Sequence, residues 1–419
     1  MSVLFDLARK IPGVQRLKWK IDFIRWQMRS KETAGDLYNP EQTYWVPVDL
    51  ITESEIPAHL APGSSTQSNA MNELGAVVDG DWDQQTMPFA DLDVYTSFEA
   101  HILNGKAWEN TDLYQRVSQD ITAGRERWGC KTLADFDQRL EKLVGLYTEI
   151  KTNGYKTQEQ LAEASPYGSN DEIILHINRY GHYIFAEGRH RLTLAKLAGI
   201  DKVPVKIAKR HKQWEQFRCE ILDFADKHGR TKGQVYHQLT HPDLADIPTG
   251  HGMQRMEMLM PYIPKGGGRL LDIGANWGFF TNGFQKQGFD CTAIEMLPQE
   301  AYFLRKLGVA ERLDYKVIES SVFDLKIDMN FEVVMAMNIF HHFLKDEALY
   351  DQLCTFLDNL NTKVMFFQPH TDEEWQMQGI YKSMSSEELV QFVADRSRLP
   401  NITKIGADSD GRVMYKLEK

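Results

Sequence analysis

The chain has few cysteines and no long apolar segment, and each shortage excludes a class of protein. Its 419 residues include only four cysteines, which are scattered without a C-x-x-C pair: Cys130, Cys219, Cys291 and Cys354. This usage argues against a disulfide scaffold or a zinc site and favours a reduced, cytoplasmic protein. No apolar run approaches the roughly 18 residues of a membrane-spanning helix, and no cleavable signal is recognised, so we expect neither a membrane-spanning nor a secreted protein.

The chain also has fewer basic than acidic residues. The chain carries 48 basic and 59 acidic residues, a formal net charge of −11. Because nucleic-acid binding needs a dense basic surface, we do not expect DNA as a partner. Residues 1–40 depart from this average, since basic side chains are interleaved there with aromatic and aliphatic ones. That pattern fits a helix in peripheral contact with a membrane, or one that packs its apolar face on its own domain.

The most informative stretch is Arg269–Met296, RLLDIGANWGFFTNGFQKQGFDCTAIEM. A short apolar run bounded by glycines predicts a buried parallel strand, and the turn after it predicts a tight connection into an amphipathic helix. A second predicted strand ends at Glu295, where a carboxylate can accept hydrogen bonds from two ribose hydroxyls. The G-x-x-x-G spacing lacks the third glycine of a pyrophosphate-binding turn, which argues against NAD.

This stretch resembles motif I of class I S-adenosylmethionine-dependent methyltransferases. The resemblance implies that Asp272 lies near the methionine amino group, that the loop of Gly274, Asn276 and Gly278 passes under the cofactor, and that Glu295 holds the ribose. Asn276 stands where many members have glycine, and asparagine tolerates the left-handed backbone that such a loop needs. We therefore expect a valine at position 278 to fill the space of the ligand without unfolding the chain.

The resemblance extends over roughly residues 240–419. Further strands are predicted at 315–319, 331–337 and 363–368, followed by a capped helix from Ser385 to about Arg398 and a closing hairpin. In the family pattern, Ser321 lies beside the adenine and Asn338 follows the fourth strand. His341 and His342 come next and are the candidate catalytic bases, since a near-neutral imidazole can deprotonate a hydroxyl. Methyl transfer from a sulfonium needs alignment and desolvation, but no metal ion and no covalent nucleophile.

A second informative stretch covers residues 171–211. Two apolar runs predict a hairpin, and Gly188 to Arg191 then opens a helix from Leu192 to Ala198, with a further strand at Val203–Ile207. Free backbone N–H groups at a helix N-terminus together with a guanidinium form a phosphate or carboxylate site.

The stretch resembles the ParB/sulfiredoxin-like fold, whose members bind nucleotides. The resemblance implies phosphate contacts from Gly188, His190 and Arg191 and a leading strand at residues 44–48. No cysteine lies in this turn, which excludes sulfiredoxin chemistry. A purely structural contact between an arginine and a carboxylate explains the same residues equally well.

Together these patterns predict an α/β protein with four segments. They are a basic amphipathic segment at 1–40, a smaller α+β ParB/sulfiredoxin-like domain with a helical insertion at 41–215, a linker at 216–245, and a Rossmann-like seven-stranded methyltransferase sheet at 246–419. Two functions stay open. One is a methyltransferase that uses S-adenosylmethionine on a small-molecule or glycan-type acceptor, with a phosphate- or nucleotide-binding N-terminal domain. The other is a nucleotide-dependent kinase or switch in the N-terminal domain, with a cofactor-sensing methyltransferase-like domain.

Overall fold

The computed structural model describes residues 39, 42–60, 70–157, 160, 172–228, 232–374, 377 and 379–419. The predicted basic segment at 1–40 lies outside these ranges apart from residue 39. Within the described residues, one compact unit ends at Cys219 and a second begins at Glu220. We call them the N-terminal unit and the C-terminal unit. No described helix has the length and apolar character needed to cross a membrane.

The C-terminal unit contains a seven-stranded sheet with helices along its chain, as the sequence predicts. Its strands are β10 (Gly268–Ile273), β11 (Phe289–Ile294), β12 (Lys316–Ile318), β13 (Asn330–Met337), β14 (Asn361–Gln368), β15 (Asn401–Ala407) and β16 (Val413–Glu418). Its helices are α6 (Gln254–Leu259), α7 (Phe279–Lys286), α8 (Pro298–Ala310), α9 (Glu347–Asn359) and α10 (Ser386–Ser397). The short strands β8 (Val235–His237) and β9 (Thr249–His251) form a separate parallel pair.

The strand order is β12-β11-β10-β13-β14-β16-β15. The five strands from β12 to β14 run parallel, and β16 and β15 complete the sheet in antiparallel pairing. The chain leaves β10 towards one edge and returns at β13 on its other side. The strand order therefore reverses between β10 and β13, where ligands of open α/β sheets bind, beyond the carboxyl ends of the strands.

Apolar side chains cover both faces of this sheet, because successive residues of a strand point to opposite sides. Leu271 and Val334 belong to the cluster that includes α9 and α10 residues, whereas Leu270 and Val333 belong to the cluster that includes the α7 phenylalanines. The expected capping box at the start of α10 is confirmed, since Ser385 and Glu388 exchange hydrogen bonds there.

The N-terminal unit is built on a second sheet. Its strands are β1 (Tyr44–Pro47), β2 (Glu53–Glu55), β3 (Ala76–Val78), β4 (Thr86–Pro88), β5 (Ile173–Ile177), β6 (Tyr183–Glu187) and β7 (Lys202–His211). They lie in the order β1-β7-β5-β6-β2-β4, and β3 also pairs with β7. Its helices are α1 (Asp93–Ile102), α2 (Asp112–Thr122), α3 (Leu133–Asn153) and α4 (Arg189–Leu197), whose apolar faces share one core with Phe98, Leu113 and Phe136 at its centre.

Some sequence predictions for the strands, helix and loops of this unit are confirmed, and others are not. The hairpin is confirmed, since β5 and β6 pair antiparallel, and the strand expected at Val203–Ile207 lies within β7. Helix α4 begins at Arg189, three residues earlier than expected. Residues 55–87 are rich in serine, glycine, asparagine, aspartate and glutamine, which predicts one long surface loop. That prediction is wrong, because β3 and β4 both pair into the sheet. Strands of three residues are too short to show an alternating pattern.

Residues 216–245, expected to be a linker, contain regular structure. Helix α5 (Lys212–His228) covers the first half of this segment, and β8 follows. The boundary between the two units falls inside α5. An amphipathic helix with buried aromatic residues carries a core-facing stripe that an irregular linker would lack.

Candidate functional site

A cavity of about 540 Å³ opens in the C-terminal unit at the reversal point between β10 and β13. Five of the seven predicted cofactor residues line it: Gly274, Asn276, Glu295, Ser321 and Asn338. They come from the ends of β10, β11 and β13 and from the turn after β12, which the parallel sheet brings to one edge. The volume lies within the usual range of small-molecule sites.

The loop after β10 is held in a left-handed backbone conformation at three positions. Gly274, Asn276 and Gly278 have φ angles of +71°, +51° and +85°. The N–H groups of Gly274 and Ala275 both donate to the carbonyl of Ile294, at 2.9 and 3.0 Å, which ties the loop to the end of β11. Asparagine is among the few residues with a side chain that adopt this conformation readily, so the loop forms with Asn276 in the middle position.

Glu295 is the carboxylate that the loop surrounds. Only 7% of the residue is exposed, and each of its oxygens accepts one backbone N–H, from Asn276 and from Leu297, both at 2.9 Å. Burial raises the pKa of Glu295 to about 7, against the effect of these hydrogen bonds. The Met296 N–H also interacts with this carboxylate, and a carboxylate has about four acceptor positions, so Glu295 retains acceptor capacity for a ligand.

Glu300, on the first turn of α8, is a second carboxylate in the cavity, and its role was not predicted from the sequence. It accepts hydrogen bonds from the side-chain amide of Asn276 at 3.1 Å and from the indole N–H of Trp277. Burial, and then the nearby charge of Glu295, raise its pKa to about 8. Glu300 thus fixes the loop residue that replaces the usual glycine.

Asp272 lies outside the cavity lining, and its expected place beside the methionine amino group stays a prediction. Its carboxylate is 3% exposed and accepts a hydrogen bond of 2.6 Å from the Thr281 hydroxyl on α7. Burial raises its pKa to about 6. In this structure Asp272 connects the end of β10 to helix α7.

Gly278 also lies outside the lining, and its expected role needs correction. A Cβ atom added there would lie 2.5 Å from Leu304 Cδ1 and 3.2 Å from the Tyr315 hydroxyl. A larger residue would therefore collide with the protein interior instead of filling the ligand space. Gly274 differs, because its added Cβ would meet Ile339, itself a lining residue, at 3.1 Å.

Asn338, directly after β13, has a left-handed backbone with φ of +57°. When its amide is oriented to match the surrounding donors, its oxygen accepts from Arg255 and Arg412, both at 3.1 Å, and from the Tyr236 hydroxyl at 3.2 Å. Tyr236 lines the same cavity. Buried guanidiniums therefore position this side chain.

The structure separates the two candidate catalytic histidines. His341 is 2% exposed, lies outside the lining, and has no hydrogen-bond partner for either ring nitrogen among the described residues. Burial lowers its pKa to about 2, so the ring stays neutral. His342 is exposed and lines the cavity, with Nδ1 3.2 Å from the Lys345 ammonium. Only His342 is therefore placed to meet an acceptor.

The N-terminal unit has its own cavity, of about 710 Å³, at the start of α4. The three predicted phosphate residues, Gly188, His190 and Arg191, all line it. Gly188 has φ of +92°, and an added Cβ would lie 3.1 Å from the Ile173 backbone, so both conformation and space require glycine. Arg191 lies 3.8 Å from the buried carboxylate of Glu172.

His190 is placed as a packing residue. Its ring meets those of Trp128 and Phe98 edge-on, at centroid distances of 4.8 and 6.1 Å. Burial lowers its pKa to about 3, which keeps it uncharged. The lining residues that were not predicted from the sequence include Trp128, Arg139 and Arg189. The first two are roughly 50 to 60 positions from the motif, and only the fold brings them to it.

Comparisons with known proteins match one segment of the C-terminal unit to a described family. Residues 271–358 match the model of a family described as a methyltransferase domain. The C-terminal unit therefore contains a methyltransferase domain. No curated protein matches the chain.

Several solved structures are similar to part of the chain. One is the bifunctional kinase-methyltransferase WbdD, at 16% identity and a TM-score of 0.39, over 47% of this chain and 46% of that chain. Another is the PH0226 protein from Pyrococcus horikoshii OT3, at 14% identity and a TM-score of 0.32, over 39% of this chain and 89% of that chain. A third is the N-methyltransferase NodS from Bradyrhizobium japonicum WM9, at 13% identity and a TM-score of 0.31, over 40% of this chain and 93% of that chain. The chain thus spans less than half the length of WbdD. The ParB/sulfiredoxin-like resemblance stays a prediction.

Proposed function

We propose that the C-terminal unit binds S-adenosylmethionine and transfers its methyl group to a small-molecule or glycan-type acceptor. The methyltransferase domain supports the reaction class. The observation that carries the choice of cofactor is Glu295, a buried carboxylate at the reversal point of the sheet. A carboxylate at this place suits the hydroxyls of a ribose, which donate hydrogen bonds.

The other lining residues fit an adenosyl ligand. The bare backbone at Gly274 allows close approach of a ligand, and Ser321 lies in the turn after β12, at the side of the cavity away from β13. The bound cofactor would supply a methyl group on a positively charged sulfur. The residues around it would align the acceptor, exclude water and remove a proton from a hydroxyl acceptor.

His342 is the residue that we assign to this proton. It is exposed at the cavity, whereas the ring of His341 is buried and neutral. An imidazole within hydrogen-bond reach of an acceptor hydroxyl could act as general base, a contribution of typically about 10²–10⁴-fold in rate.

The N-terminal unit, in this proposal, is a phosphate- or nucleotide-binding module. The support is the cavity at the N-terminus of α4, where backbone N–H groups and arginine side chains lie together. Such a module would hold a phosphorylated or nucleotide-linked compound.

Titration calorimetry with S-adenosylmethionine tests the proposed cofactor site. Replacing Glu295 by alanine removes two charge-assisted hydrogen bonds to the ribose, so we expect affinity to fall by about 2 kcal/mol, or about 30-fold. Glu295→Gln keeps the side-chain size and one acceptor oxygen and should fall between alanine and wild type.

The matched control is Glu373→Ala, which removes an exposed carboxylate from the same unit outside this cavity. Because Glu295 also accepts two backbone N–H groups, thermal unfolding of each variant must show that it is folded. Wild-type affinity in a folded Glu295→Ala protein would refute the assignment.

A further inference from the structure

The cavity of the N-terminal unit contains more cationic groups than the predicted motif supplies. Besides Arg191, it is lined by Arg139 from helix α3 and Arg189 from the first turn of α4. The lining carboxylates are Glu55 and Glu187, and Glu55 already accepts from His176 at 3.0 Å. The arginines therefore outnumber the carboxylates around this cavity.

Arg189 is a partly buried guanidinium without a direct counter-ion. The described residues give it no hydrogen bond and no ion pair, and burial lowers its pKa. The favourable charges near it are those of Asp93, whose carboxylate is already bound by Arg116 at 2.5 Å, and, with a smaller effect, Glu187. A desolvated cation that lacks a partner is costly, so this position is suited to an anionic ligand.

Arg139 is also incompletely paired. One of its terminal nitrogens donates to the Trp128 carbonyl at a long 3.4 Å, and its buried Nε has no partner among the described residues. Arg191 is closer to satisfied, because it lies beside Glu172. His190 cannot contribute charge, since burial holds its pKa at about 3. The available guanidiniums are thus Arg139 and Arg189.

Trp128 also lines the cavity, with the Arg139 guanidinium 6.0 Å from its ring. It has φ of +50°, is followed by Gly129 at +79°, and lies in a tight turn closed by two hydrogen bonds between Arg127 and Cys130. Such two-residue turns normally hold asparagine, aspartate or glycine, and a tryptophan there costs about 1–2 kcal/mol. The turn places Trp128 in the cavity lining, with Leu143 and Leu146 of α3.

We propose that this cavity binds a phosphorylated ligand with a flat ring, which rests on the phosphate-binding function proposed for the N-terminal unit. The phosphate would lie between Arg139 and Arg189 at the start of α4, and the ring would pack against Trp128. Two guanidiniums and a helix N-terminus suit a phosphate with more than one negative charge. An indole and leucine side chains suit a flat ring, and any nucleobase can stack on an indole because every base has a π-face.

The proposal predicts different effects on ligand affinity for the arginine substitutions and for the tryptophan substitution. Calorimetry on the full chain measures these affinities. Pyrophosphate and ribose 5-phosphate serve as probes without an aromatic ring, and ATP and CTP as probes with one. Arg189→Gln and Arg139→Gln should each weaken all four about tenfold or more, because each removes a charge-assisted contact. Trp128→Ala should weaken only ATP and CTP, by about tenfold.

Three variants control for folding and for charge alone. Arg125→Gln removes an exposed guanidinium that pairs with Asp120 away from the cavity lining, and should bind all four probes as wild type does. Arg189→Lys and Arg139→Lys keep the charge and should recover part of the affinity. Each variant is compared with wild type by thermal unfolding.

The outcomes distinguish this inference from the module on which it rests. If pyrophosphate binds wild type, and Arg191→Lys alone weakens it, the module stands and our choice of arginines is wrong. If ATP and pyrophosphate lose equally in Trp128→Ala, the assignment of the ring is wrong. If no probe binds wild type at millimolar concentration, the module and this inference both fail, while cofactor binding by the C-terminal unit is unaffected.

Discussion

The two cavities of this protein differ in how their polar groups are satisfied. In the C-terminal unit, Glu295 and Glu300 both accept hydrogen bonds from the loop after β10, and burial raises both pKa values. In the N-terminal unit, Arg189 has no hydrogen bond among the described residues, and Arg139 has one long hydrogen bond and an unpartnered Nε. The first cavity is organised around negative groups before a ligand arrives, whereas the second retains positive groups that a ligand must neutralise. The two sites should therefore select ligands of opposite character.

The largest effect is expected from Gly278→Val. The new side chain would meet Leu304 at 2.5 Å and impose a left-handed backbone on a β-branched residue, so the free energy of unfolding should fall by about 3 kcal/mol or more. Chemical denaturation measures this. Gly288→Val is the matched control, since Gly288 has a similar φ of +87° but nothing within 4 Å of an added Cβ. A Gly278→Val protein of wild-type stability that fails to bind cofactor would restore the original expectation.

An effect of intermediate size concerns pH. The pKa values of Glu295 and Glu300, about 7 and about 8, lie above their ordinary value of 4.5. Between pH 4.5 and these raised values, the folded protein therefore binds more protons at the two carboxylates than the unfolded chain does. The contribution of these two groups to the free energy of unfolding without ligand should therefore be full below about pH 4.5 and fall as pH rises from about 5 to 8. Glu300→Gln removes one of these groups and should flatten the decline. A decline as steep as that of wild type would contradict this account.

Cofactor affinity should change with pH in the opposite sense. Ribose hydroxyls donate to the ionised form of Glu295, so affinity for S-adenosylmethionine should rise between about pH 6 and 8. In Asp272→Asn the rise should occur at lower pH, because the charge of Asp272 raises the pKa of Glu295. Calorimetry at several pH values would detect the shift.

The smallest effect concerns one buried histidine in each unit. Burial lowers the pKa of His341 to about 2 and that of His190 to about 3, so both rings should stay neutral throughout pH 5 to 8. Histidine-labelled NMR spectra should contain at least two resonances that do not move in this range, and His341→Gln and His190→Gln should each remove one. If either resonance titrates near the ordinary pKa of about 6.5, that histidine is accessible and returns as a functional candidate.

The sequence predicted most of the sheet of the C-terminal unit because its signals are local. An apolar run between glycines marks β10, and the acid after the next strand marks Glu295. What it missed depends on contacts between distant segments. Glu300 becomes important only because α8 turns it towards Asn276, and Trp128 and Arg139 reach the Gly188 turn only through folding. Gly278 was misread because a glycine serves equally for ligand approach and for packing, and only the position of Leu304 distinguishes them.

The most direct test of the central claim is a crossed titration. S-adenosylmethionine and ATP are each titrated into wild type, Glu295→Ala and Arg189→Gln. We expect Glu295→Ala to lose about 30-fold in affinity for S-adenosylmethionine and none for ATP, and Arg189→Gln to show the reverse, with about a tenfold loss for ATP. If either substitution weakens both ligands alike, or neither, the two cavities are not separate sites of opposite charge.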